Sequence, residues 1–286
     1  IVAVGGGSAM DCAKCIGIVA TSGSDIRELE GVDTVRVPGP ALICVPTTAG
    51  SSADVSPLAA ITDEESGRKI ILISRLLVPD LSVIDPETTM TMSAGLTAST
   101  GMDALVHAFE AYVSNASSPI TDLFALEAAR LIGQNLPEVH RDPANVEARE
   151  HMMLASMYAG MAFSNASVGL LHAMDHGLGG LYDSTHGEGS SALLEQVIRF
   201  NYTCAGRKYD ELERVMFGSA RGVDSLVDHL NHLREELGIG GGLGECGLRR
   251  EDIPRLSENA VRDPCLATNP RPAELKDIEV LYERAL

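Results

Sequence analysis

The chain has 286 residues, of which 45% are hydrophobic and 22% charged, and its mean hydropathy of +0.08 lies close to zero. That length and balance suit a folded chain with two cores, and no apolar run reaches the roughly 18–20 residues of a membrane-spanning helix. Forty acidic against 22 basic residues leave a formal net charge of −18, a field that repels phosphate backbones and argues against nucleic acid as a partner.

The first residues, Ile1-Val2-Ala3-Val4, read as a strand, with no initiator Met and no basic-then-apolar signal layout. A segment upstream of Ile1 is therefore expected. Gly5-Gly6-Gly7-Ser8 follows and leads into a helix expected over Ala9–Thr21. Glycines here allow positive φ and close approach of backbone N–H groups to a diphosphate, and the helix N-terminus adds partial positive charge. The spacing is not G-x-G-x-x-G, so the standard Rossmann fingerprint is absent. Cys12 and Cys15 form a C-x-x-C on this helix, but no second pair completes a zinc cage. Both are expected to be buried small residues. Six scattered cysteines suit a reduced, cytoplasmic compartment better than a disulfide framework.

Further strands are expected at Ala41–Val45, Ala59–Thr62, Lys69–Ile73 and Leu81–Ile84, with residues 63–67 turning between the middle two. Strand, Gly-rich turn, helix, strand is the grammar of a parallel sheet. Pro46-Thr47-Thr48-Ala49-Gly50-Ser51-Ser52 supplies hydroxyls and a flexible glycine at a strand's C-terminal edge, where α/β sheets bind ligands. Two such loops at successive strand ends point to a nucleotide.

The pattern changes near residue 92. Helices are expected over Thr121–Leu136, with Leu123, Leu126, Ala129, Leu131 and Ile132 on the buried face, and over Asp224–Leu237, stopping at Gly238. A third runs from Pro272 to Leu286, with proline in its first turn. The expected architecture is an α/β nucleotide-binding part over residues 1–92 and an all-helical part over residues 93–286.

Asp103 and His107 are four apart and share a helix face. His172 and His176 repeat that spacing, and His186 follows ten residues later. Five ligand-type side chains on otherwise apolar stretches point to a catalytic metal. Spacing alone does not say which four bind it, and a hydrolytic zinc site stays open. The absence of H-E-x-x-H disfavours a metalloprotease.

These stretches carry a family likeness. Gly5-Gly6-Gly7-Ser8-x-x-Asp11-x-x-Lys14, Pro46-Thr47-Thr48-Ala49-Gly50, Gly101-Met102-Asp103-Ala104-x-x-His107-Ala108-x-Glu110-Ala111-Tyr112, and His172-x-x-x-His176-x-Leu178-Gly179-Gly180 with His186-Gly187 resemble the iron-containing (group III) alcohol dehydrogenases. The likeness keeps that family's order and runs from Ile1 to the C-terminus. It implies the dehydroquinate synthase-like fold, an α/β dinucleotide-binding domain followed by an all-α metal-binding domain. It makes Asp103, His107, His172 and His186 the metal ligands and places His176 near nicotinamide and substrate, as a proton relay. Gly5, Gly6, Gly7 and Ser8 would take the pyrophosphate. Thr47, Thr48, Ser51 and Ser56 would line the cofactor cleft, and Lys69 would sit near a ribose hydroxyl.

The implied reaction is hydride transfer between a small alcohol or aldehyde and NAD or NADP, assisted by Fe²⁺ as Lewis acid. Zinc is the alternative, since intrinsic affinity rises towards it. The resemblance also implies a homo-oligomer, a dimer, and a further upstream stretch of roughly ninety residues bearing the acidic residue that favours NAD over NADP. Two departures from the family pattern stand out: Ser51-Ser52-Ala53-Asp54 after the second loop, and Asp175 between the helical histidines. The rival readings are a polyol dehydrogenase, a hydroxyacid–oxoacid transhydrogenase or a lyase of the same superfamily, a catalytically silent binding module, and a metal hydrolase.

Overall fold

The computed structural model describes the backbone of every residue except 64, 66, 67 and 182–185, and of the remainder every side chain except those of 68, 179–181 and 186–188. Strand β1 (Val2–Gly5) feeds helix α1 (Gly7–Ser22), and β2 (Gly31–Val32), β3 (Ile43–Pro46), β4 (Leu58–Asp63), β5 (Arg68–Ile73) and β6 (Leu81–Ser82) follow. Strands β1, β3 and β6 form a parallel sheet, as the strand–turn–helix–strand pattern predicts. A second sheet sets β4 antiparallel to β5, with Asp63 opposite Arg68, and β2 parallel to β5. The expected turn over residues 63–67 lies largely outside the described residues.

Helix α1 packs between the two sheets. Met10 and Ala13 cluster with Ala3, Leu42 and Cys44 on the parallel sheet. Cys15 and Ile18 cluster with Ala59, Ile70 and Leu72 on the other. Of the C-x-x-C pair, only Cys15 is buried as expected; Cys12 is exposed, because α1 turns that position towards solvent. All six cysteines are free thiols.

From Ala94 onward the described residues hold no strand. Helix α2 (Ala94–Val113) is capped by Ser93, whose hydroxyl accepts the Leu96 N–H, and is buried from Met102 through Val113. Around it lie α3 (Pro119–Arg141), α4 (Val146–Ala166), α5 (Leu170–Leu181), α6 (His186–Phe217), α7 (Val223–Glu236), α8 (Ile253–Arg262) and α9 (Leu275–Ala285). One large apolar cluster unites them.

Two helix expectations need correction. Leu123, placed by the sequence on the buried face of α3, is 70% exposed. Ala129, Leu131 and Ile132 are buried as expected, and with Thr121, Ala125, Ala128, Leu136 and Val139 they form the buried face; α2 and α4 both pack against this helix. A Cβ on Gly101 of α2 would overlap the Leu136 side chain. Helix α9 begins at Leu275, not Pro272. Glu274 caps it, with its own N–H donating to Asp277 Oδ2 at 2.9 Å, so the reciprocal box rather than the proline sets the start. Helix α7 ends as expected, with Gly238 at φ +68°.

The loop from β3 to β4 ties the sheet part to the helical part. A Cβ on Gly50 would lie 2.6 Å from the Thr100 carbonyl of α2, and one on Gly160 of α4 would lie 2.5 Å from Ser52 Cβ. Ser52 adopts φ +54°, costly for a residue with a side chain, and its hydroxyl donates to the Ser156 carbonyl at 2.6 Å. The contacts to α4 hold that strained residue, and with it the loop's hydroxyls.

Candidate active site

The two sequence-singled loops meet. The Thr47 N–H donates to the Gly5 carbonyl at 2.9 Å. A Cβ on Gly7 would lie 2.8 Å from Ser51 Oγ, and one on Gly6 3.3 Å from Thr48. The small size of Gly6 and Gly7 therefore serves close packing of loop on loop, whereas a Cβ on Gly5 would meet Ala9 of α1 at 2.7 Å. Positive φ plays little part: Gly6 has φ −82°, and of the three only Gly5 is positive, at 156°. Helix α1 starts at Gly7, two residues earlier than the sequence suggests, and no side chain caps it. The N–H groups of its first turn are thus donors without an intrahelical acceptor, with no acidic residue in that turn.

A cavity of about 530 Å³ opens at these donors, a volume that suits an organic ligand. Gly6, Gly7, Ser8, Thr48, Ser51, Ser56 and Lys69 line one end. Gly5 and Thr47, expected beside the cofactor, are not among the lining residues; they brace the loops behind. Two residues quoted in the motifs without a role also belong here. Asp11 lines the cavity and accepts the Ala60 N–H at 3.0 Å. Lys14 is buried, donating to the Ser56 carbonyl at 2.9 Å and the Leu58 carbonyl at 2.7 Å. Burial pushes the Asp11 carboxyl up and the Lys14 ammonium down, each partly offset by the other's charge.

At the other end of the same cavity stand Asp103, His107, His172 and His176. Asp103 Oδ1 is 3.8 Å from His107 Nε2, one turn along α2. The His172 ring, from the first turn of α5, stacks on His107 with centroids 4.7 Å apart and planes at 21°. Asp103, His107 and His172 each present a ligand atom within 4.8 Å of the other two, and all three are buried. Such a mixed imidazole–carboxylate set fits a first-row divalent metal. The His186 side chain lies outside the described residues; its backbone opens α6.

Glu110 closes the arrangement from α2. Its carboxylate accepts the N–H groups of Gly169 at 2.9 Å and Leu171 at 2.7 Å, and Oε2 lies 2.6 Å from His172 Nδ1. With its proton on Nδ1, the ring would offer Nε2 to a metal ion. Glu110 is three residues from His107, so helical spacing would have shown it on the same face.

His176 Nδ1 lies 2.8 Å from Asp263 Oδ2. Burial alone would raise the Asp263 carboxyl, but the His176 hydrogen bond and charge, with the Cys265 N–H, hold it below its ordinary value. Asp263 lies 87 residues from His176, and no local pattern marks it. Asp175, the departure from the family pattern between the helical histidines, does not line the cavity; its buried Oδ2 accepts the Ser190 hydroxyl at 3.0 Å, in the first turns of α6.

Comparison with known proteins assigns both parts of the chain to one family. The Fe-containing alcohol dehydrogenase family, C-terminal, matches residues 97–286, and the iron-containing alcohol dehydrogenase model matches residues 1–86. The chain belongs to the iron-containing alcohol dehydrogenase family. It is 38% identical to 1,3-propanediol dehydrogenase of Klebsiella pneumoniae, over all of this chain and 75% of that protein. To NAD-dependent methanol dehydrogenase of Bacillus methanolicus it is 36% identical, over all of this chain and 77% of that one. A crystal structure of 1,3-propanediol oxidoreductase superposes with a TM-score of 0.96 at 38% identity, covering all of this chain and 76% of that chain. As a family member, the chain is an oxidoreductase that moves hydride between an alcohol or aldehyde and a nicotinamide with the help of a metal. No helix among the described residues is long and apolar enough to cross a membrane.

Proposed function

We propose that residues 1–92 form the nucleotide-binding domain and residues 93–286 the metal-binding catalytic domain of an enzyme that interconverts small primary alcohols and aldehydes. Asp103, His107 and His172, completed by His186, hold Fe²⁺, with Zn²⁺ as the alternative ion. NAD or NADP occupies the cavity between the loops and the histidines, and the working enzyme is a cytoplasmic homodimer. The observation that carries this reading is the continuity of the cavity. The α1 N-terminus and the Asp103–His107–His172 cluster line one space, as hydride transfer between a dinucleotide and a substrate at that cluster would require.

When bound, the metal supplies Lewis acidity and the nicotinamide supplies the redox chemistry. The protein does the rest. The first-turn N–H groups of α1, with Gly6, Gly7 and Ser8, receive the diphosphate without a countering carboxylate in that turn. Thr48, Ser51 and Ser56 offer hydroxyls along the cleft, and Lys69 offers an ammonium to the ribose end. Glu110 holds the His172 ring so that its Nε2 faces the cluster. Phe163, stacked on His107 at 4.5 Å, and Val168 line the metal end and favour a small, partly apolar substrate. His176 accepts the alcohol's proton during oxidation and returns it during reduction.

The test is alcohol-dependent reduction of NAD⁺ and of NADP⁺ by Fe²⁺-loaded protein, followed through the absorbance of the reduced nicotinamide. Turnover of short primary alcohols with either cofactor is expected. No turnover with any alcohol or aldehyde, in the presence of bound metal and bound nicotinamide, would overturn the reading. Hydrolysis of the nucleotide in its place would favour the metal-hydrolase alternative.

A further inference from the structure

His176 stands one helical turn beyond His172, and the two rings meet edge-on with centroids 5.9 Å apart. Each ring is anchored by its own carboxylate. Glu110 of α2 takes Nδ1 of His172, whereas Asp263, at the C-terminal end of α8, takes Nδ1 of His176.

Asp263 is itself fixed. Its side chain is 8% exposed, and its other oxygen accepts the Cys265 N–H at 2.8 Å, capping the short turn Pro264–Thr268. One oxygen is thus committed to the backbone and the second points at the imidazole. An ionised carboxylate can only accept hydrogen bonds, so a neutral ring facing it carries its proton on Nδ1 and its lone pair on Nε2. His176 lines the cavity and Asp263 does not, so the carboxylate acts on the ring from behind.

We infer that Asp263 is a positioning residue for the reaction: it locks His176 in the Nδ1–H tautomer, so that Nε2 meets the alcohol as a proton acceptor. The inference rests on the role proposed above for His176. During oxidation the alcohol loses hydride from carbon to the nicotinamide, and its hydroxyl proton passes to Nε2. The O–H bond breaks, an N–H bond forms, and the carbonyl product and reduced nicotinamide balance the electrons. The imidazolium left behind is stabilised by the Asp263 carboxylate, which stays ionised, and by the negative end of α8. In reduction the Nε2 proton returns to oxygen as hydride reaches carbon.

Two measurements test this on the metal-loaded enzyme. Nitrogen-resolved NMR of the diamagnetic zinc form, at a pH above the ordinary imidazole range and with His176→Gln to assign the signals, reads the tautomer without turnover. Protonated Nδ1 and bare Nε2 are expected at His176. In Asp263→Asn, whose amide can donate as well as accept, kcat for alcohol oxidation should fall about 10²-fold or more. Metal content and nicotinamide Kd should match wild type, and KM should change little, which a folding defect would not reproduce. An Nε2–H ring in the wild-type protein, or wild-type kcat in Asp263→Asn, would overturn the assignment. A ring with the expected tautomer in an enzyme that turns over no alcohol would support the positioning of His176 and overturn the dehydrogenase reading instead.

Discussion

Glu110 and His172 are joined at 2.6 Å across the interface of α2 and α5, and the same carboxylate takes the N–H groups of Gly169 and Leu171. One side chain therefore caps the N-terminus of α5 and sets the direction of its first imidazole. The carboxylate completes a chain from helix terminus to ring to the proposed metal site, in which each link restricts the next. In Glu110→Gln the amide still accepts from the backbone but no longer provides a full negative charge behind the ring. Metal affinity should fall about 10–100-fold, measured by competition with a chelator of known affinity. Wild-type affinity in this variant would remove Glu110 from the metal account.

The proposed function divides the histidines by role. His172→Ala and Asp103→Ala each delete a donor from a cluster whose ligand atoms lie within 4.8 Å of one another, and purified protein should carry almost no metal. His176→Ala should retain about one divalent ion per chain yet lose alcohol turnover. Elemental analysis of the three variants decides the matter, and equal metal loss in all three would put His176 on the metal.

Lys14 is a buried side chain that ties α1 to the end of the β3–β4 loop. Its ammonium joins the carbonyls of Ser56 and Leu58 to α1. In Lys14→Met those acceptors lose their donor, and Asp11, 3.9 Å away, loses a compensating charge. A stability loss of about 2–3 kcal/mol is expected from the unmatched polar groups, together with weaker nicotinamide binding because Ser56 lines the cavity. Urea denaturation and a cofactor titration check both; a variant with wild-type values in each would show that Lys14 positions nothing.

Acid sensitivity follows from Asp263. Its carboxyl is held below the ordinary value of 3.8 in the folded protein, so the ionised form is favoured by folding. The stability it contributes is complete above 3.8 and is lost as pH falls through the lower, folded value. The melting-temperature advantage of wild type over Asp263→Asn should therefore narrow as pH drops below 3.8. An advantage that widens with acid would contradict the sign.

Much of this architecture is legible in the sequence because it rests on local rules. The strand–glycine–helix succession gives β1, α1 and β3, and the i, i+4 pairs place Asp103 with His107 and His172 with His176. What escapes is set by distant neighbours. The exposure of Leu123 and the burial of Ala125 and Ala128 are set by the helices packed on α3, and nothing in residues 119–141 alone reveals where those lie. The glycines at 6 and 7 are required by Thr48 and Ser51, which arrive from another strand end. Asp263 meets His176 only once α8 has packed on α5. Strand β2 has two residues and exists only through its pairing with β5.

The most direct test of the central claim is alcohol-dependent reduction of nicotinamide by one preparation, before and after chelation and again after Fe²⁺ is restored. Loss of metal should abolish kcat while cofactor affinity and cooperative melting persist, and restored Fe²⁺ should bring turnover back, because the cluster acts in the transition state rather than in cofactor binding. Full alcohol-dependent turnover in the chelated enzyme would show that Asp103, His107 and His172 serve the fold and not the reaction.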